Sequence, residues 1–131
     1  MNMSGLAVAA AGVMALGVGT VQAQSGFGPW HRYTYQDGVF VEYAVKRESE
    51  GLRIAWRCRN MNSYSISCSV GAGQNKRYHC RAGSTRLGET GALGERATVR
   101  EGGTYTFPSE SACRGTGASS LNADVRISIE R

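Results

Sequence analysis

Histidine is scarce in this chain: of 131 residues only His31 and His79 are histidine. Any mechanism that needs an imidazole base has those two to draw on. The strained Gly-x-Ser-x-Gly elbow of serine hydrolases is missing, although serines are abundant. The four cysteines, Cys58, Cys68, Cys80 and Cys113, form no C-x2–4-C knuckle, which argues against a zinc site made of all four. From residue 24 onward there is no sustained helical period, no internal repeat and no Asn-x-Ser/Thr acceptor. Charge is missing from Gly5 to Val21, and Met1-Asn2-Met3-Ser4 ahead of that run carries neither Lys nor Arg.

What occupies the start is a weakly apolar run of Ala, Gly and Val closing on Val21-Gln22-Ala23, with small residues at the −3 and −1 positions of a cut before Gln24. That is a secretory pattern, so residues 1–23 are expected to be a signal peptide and 24–131 a single domain. The glycines and alanines make the run a poor bilayer span, and no transmembrane segment is expected after cleavage. An even number of cysteines behind such a signal predicts disulfides and a secreted or periplasmic protein.

Alternation of period two dominates the rest. In Leu52–Val70, Leu52, Ile54, Trp56 and Cys58 face one way and Arg53, Arg57 and Arg59 the other. Beyond Asn60–Ser63, Tyr64, Ile66, Cys68 and Val70 face one way and Ser65, Ser67 and Ser69 the other. Turn-forming Asn and Ser between the arms predict a β-hairpin. Further strands are expected over 30–35 (His31, Tyr33 and Tyr35 on one face), 39–47, 76–81, 96–100, 104–107 (Tyr105 and Phe107 inward) and 121–129. Asp37-Gly38 is a strong turn signal. Residues 82–95, rich in glycine, read as a long mobile loop, and 109–120 as a second loop. The expected fold is all-β: a small antiparallel β-sandwich, immunoglobulin-like, of about seven strands and disulfide-stabilised. A small closed barrel is the alternative.

Cys58 and Cys68 face the same way on the two arms, and Cys80 and Cys113 border the long loops, which predicts Cys58–Cys68 and Cys80–Cys113. Basic residues outnumber acidic by 15 to 10, and thirteen of the fifteen are Arg. Arg53, Arg57 and Arg59 share one strand face; Arg77, His79 and Arg81 share another. If their strands lie in one sheet they form a basic patch for an anionic polymer, a lipid head group or an acidic protein. The competing reading is a solvated face whose arginines pair with Glu42 and Glu48. No catalytic constellation stands out, so a non-catalytic binding module is expected, with no cofactor and no metal. The alternatives are a secreted hydrolase or nuclease using His79 with neighbouring Arg, and a protein inhibitor acting through loops 82–95 or 109–120.

Overall fold

The computed structural model describes residues 26–73, 76–92 and 94–131. The expected signal peptide lies outside the described residues. The described chain is all-β, with eleven strands: β1 (His31–Gln36), β2 (Val39–Glu48), β3 (Gly51–Asn60), β4 (Ile66–Val70), β5 (Lys76–Ala82), β6 (Thr85–Gly91), β7 (Glu95–Val99), β8 (Thr104–Thr106), β9 (Glu110–Ala112), β10 (Ser120–Val125) and β11 (Ile127–Glu130). Every pairing is antiparallel.

The first sheet runs β9-β3-β2-β1, and β8 also pairs with β3. Asp37 and Gly38 both take positive φ (50° and 76°), the conformation a two-residue primed turn requires between β1 and β2. Pro108 cannot donate to a ladder, and it separates β8 from β9 on the edge of β3. The second sheet runs β10-β5-β6 and the third β11-β4-β7.

The predicted hairpin of Leu52–Val70 does not form. Its first arm is β3 of the first sheet, and its second arm contains β4, at the centre of the third. Alternation reports which face is apolar, not which strand lies alongside, and both arms turn their apolar faces to one core. Between them the buried Asn60 organises the crossing. Its Nδ2 donates to the carbonyls of Tyr64, Val99 and Arg100, and its Oδ1 accepts from the backbone and side-chain amides of Asn62. Asn62 in turn donates to the carbonyl of Asp37, fastening the β1–β2 turn to the crossing.

Two predicted loops contain strands. The reach 82–95 begins with the Gly83-Ser84 turn, Gly83 at φ 63°, and continues as β6 along β5. Within 109–120 lies β9, on the edge of β3. The predicted C-terminal strand is two: β10 pairs with β5, then β11 with β4, and at the break the Arg126 carbonyl accepts from the amides of Gly71 and Ala72. These three changes take the count above the expected seven or so.

The core draws on all three sheets, with Val39, Val41, Leu52, Ile54, Trp56, Ile66, Val70, Tyr78 and Leu121 among its buried residues. Cys58 bonds to Cys68 and Cys80 to Cys113, with Cα separations of 6.7 and 5.6 Å. Each bridge links the first sheet, or the residue just past its β9, to one of the other two.

Candidate functional site

The outer face of the first sheet is built by register. Glu42 on β2 stands opposite Arg57 on β3 and Arg32 on β1, while Phe40 stands opposite Arg59 and Tyr35. Thr104 and Thr106 of β8 extend the same two rows past Arg59 and Arg57. A bulge between Arg32 and Thr34 sets this pattern. An extra residue in one strand reverses the facing of every residue beyond it. His31, Tyr33 and Tyr35 therefore do not share a face. Tyr33 packs edge-on against Trp56 at 5.2 Å between ring centroids, whereas Tyr35 lies outside against Phe40 at 4.5 Å. Tyr105 shares a register position with Cys58, but at the sheet edge it remains 39% exposed rather than buried.

Glu42 is the hub. Its Oε1 accepts from Arg57 Nε at 2.7 Å and from Arg59 Nε at 2.9 Å, and its Oε2 accepts from Arg59 Nη2 at 3.2 Å. The residue is 8% exposed. Burial alone would raise its pKa; the hydrogen bonds and charges of Arg59 and Arg57 outweigh that and hold it below the ordinary carboxylate value. The guanidinium groups also stack on rings: Arg57 over Trp30 at 4.3 Å, Arg59 over Phe40 at 4.8 Å and Arg32 over Phe40 at 4.5 Å. Arg32 has no carboxylate partner among the described residues. Three arginines against one carboxylate leave the cluster cationic, with its guanidinium planes fixed in place.

Arg53 shares this face but not the cluster. It bonds Glu48 at 2.8 Å, the carbonyl and hydroxyl of Ser109, and the hydroxyl of Ser111, stitching β3 to the β9 edge. The arginine pairings with Glu42 and Glu48 expected of a solvated face are both present.

The second predicted row lies elsewhere. Because β5 belongs to the second sheet, Arg77, His79 and Arg81 share no sheet face with Arg53, Arg57 and Arg59. The one-sheet arrangement that would join the two rows does not form. Arg77 pairs with Glu89 at 3.1 Å, and Arg81 donates to the Ser84 carbonyl. His79 sits between Arg86, 3.3 Å from its Nδ1, and Asp124, 3.6 Å from its Nε2.

Trp30, Arg32 and Phe40 were not legible as members of the site. The signal was present: Phe40 and Glu42 alternate outward on β2, but a large apolar residue beside a charged one reads as a break in polarity rather than as a platform. Equally hidden was a chain of hydrogen bonds that starts in the core and ends at the half-buried Glu110. Trp56 Nε1–H donates to the Tyr78 hydroxyl at 3.0 Å, and that hydroxyl donates to Glu110 Oε2 at 2.5 Å. Burial first, then the bond to Glu110, pushes the Tyr78 phenol far above its ordinary pKa.

Three grooves lie away from the cluster. Two grooves of about 440 and 410 Å³ flank the turn at Ser49-Glu50, and one of about 280 Å³ lies between His31, Tyr43 and Ser120. None of these three grooves is lined by Arg32, Arg57, Arg59 or Glu42. The chain matches no family model, no curated protein and no solved structure.

Proposed function

We propose that the protein is an exported, non-catalytic β-sandwich module that binds an acidic polysaccharide on the face formed by Arg32, Arg57 and Arg59. The observation that carries this reading is the cluster itself: guanidinium groups stacked on Trp30 and Phe40, anchored on Glu42, and still carrying more positive than negative charge. Arginine edges fit sulfate and carboxylate oxygens bidentately. A polysaccharide suits the site better than single-stranded nucleic acid. Trp30 and Phe40 already carry guanidinium groups, and Tyr35, though exposed, packs on Phe40, so little open ring surface is offered for base stacking. Two disulfides fit an oxidising periplasmic or extracellular setting, where such polymers occur. The sandwich architecture, with its immunoglobulin-like variant, is favoured by one core shared among three sheets and by Trp56 lying two residues from a bridge between them. The non-catalytic role is favoured at His79, where Arg86 faces one ring nitrogen and Asp124 the other.

Heparin chromatography tests the reading. Retention is expected to fall steeply with salt, as the Debye length shrinks from about 10 Å at 0.1 M to about 3 Å at 1 M. An Arg57→Ser/Arg59→Ser variant elutes at clearly lower salt, while Arg77→Ser/Arg81→Ser elutes with the wild type. Equal elution of both variants, or elution of the wild type independent of salt, overturns it.

A further inference from the structure

Glu42 poses a problem for any anion site on this face, because a carboxylate already occupies two of its arginines. We infer that Glu42 positions the site rather than competes for it: it holds Nε of Arg57 and the Nε–Nη2 edge of Arg59, and leaves both terminal nitrogens of Arg57 and Nη1 of Arg59 to the ligand oxyanion. This rests on the polysaccharide reading above and specifies how that site works.

The hydrogen bonds are one-sided. Arg57 gives Glu42 its Nε–H alone, so both terminal nitrogens have no acceptor among the described residues. Arg59 gives Nε and Nη2, so Nη1 has none. Both side chains keep an accessible portion, 24% for Arg57 and 33% for Arg59, while the Glu42 side chain keeps 10%. The carboxylate is therefore less open to an arriving anion than either arginine side chain. Trp30 and Phe40 supply the second constraint by stacking the same guanidinium planes. Long side chains lose rotamer freedom when they clamp a ligand; here that ordering is completed on folding. Arg32, stacked but unpaired by any carboxylate among the described residues, adds the charge that Glu42 cancels elsewhere.

Two simple accounts predict opposite signs. If charge alone decides, Glu42→Gln removes a negative charge and tightens polyanion binding. If Glu42 positions the arginines, the same change frees them and weakens it. Calorimetric titration with heparin, whose sulfates do not titrate, separates the two. Glu42→Gln is expected to weaken binding about three- to tenfold, the penalty of leaving a long side chain to be ordered by the ligand. Equal or tighter binding in a variant with wild-type circular dichroism overturns the inference while leaving the anion site standing. Absence of wild-type binding removes the polysaccharide reading itself. Should Glu42→Gln fail to fold, NMR of the wild-type arginines decides. On adding heparin, the Nε–H signals of Arg57 and Arg59 are expected to hold their positions while the terminal N–H signals move. Displacement of the Nε–H signals means that the polymer expels Glu42, and the inference fails.

Discussion

Tyr78 joins two sheets through one hydroxyl. It accepts from Trp56 and donates to Glu110, and its side chain is buried. Its phenol ionises far less readily in the folded protein than in the unfolded chain. Linkage then sets the sign of the pH dependence. Below about pH 10 both states hold the proton and stability is unaffected; above it the unfolded chain releases a proton that the folded state keeps. Unfolding is therefore favoured by about 1.4 kcal/mol for each pH unit above 10, until the folded phenol also ionises. Tyr78→Phe is expected to cost about 1–3 kcal/mol at pH 8, because Trp56 and Glu110 lose a buried partner. The variant should also lose this alkaline slope. Urea unfolding at pH 8 and pH 11 measures both effects, and an unchanged slope in the variant would assign the alkaline loss to other groups.

At the scale of strands, what could be read from the residues depended on the kind of signal. Faces were legible, because burial of Leu52, Ile54, Trp56, Cys58, Ile66, Cys68 and Val70 follows directly from alternation. The Asp37-Gly38 turn was legible because its backbone demands those residues. Gly83-Ser84 was the same kind of signal, lost among the glycines around it. Strand partners were not legible. Whether β3 pairs with β4 depends on the crossing at Asn60–Ser63, and a side chain that bonds remote carbonyls leaves no local period. The cationic site was half legible: Arg57, Arg59 and Glu42 were named, but their union with Trp30, Arg32 and Phe40 depends on a bulge in β1 that adds one residue without a sequence marker. Asn60 is where this level can be tested. Asn60→Ala strips donors from the carbonyls of Tyr64, Val99 and Arg100 at a buried corner. It is expected to destabilise the fold by about 2–3 kcal/mol in urea unfolding. Amide exchange should quicken first at Asn62 and along β7, next to the lost bonds. A loss under about 0.5 kcal/mol, the range of ordinary surface changes, would show that the crossing is held by other contacts.

Across the whole molecule the two disulfides do different work on the same core. Cys58–Cys68 joins the first sheet to the third and closes a separation of 10 residues; Cys80–Cys113 joins the second sheet to the chain just past β9 and closes 33. All four cysteines are fully buried, so replacing either pair by alanines leaves a similar loss of packing. The difference between the variants then comes chiefly from the unfolded chain. Loop entropy assigns about 3 kcal/mol to the shorter closure and about 4 kcal/mol to the longer. Cys80→Ala/Cys113→Ala should therefore be the less stable variant by about 1 kcal/mol, read as the difference in unfolding free energy in urea with both proteins oxidised. Cys58 lies on the inner side of the first sheet and Cys113 is fully buried just past β9, while Arg57, Arg59 and Glu42 lie on the sheet's outer face. Under conditions where each variant remains folded, heparin retention should match that of the wild type. Reduced retention in a folded variant would mean that the bridges shape the proposed binding face as well as hold the sheets together.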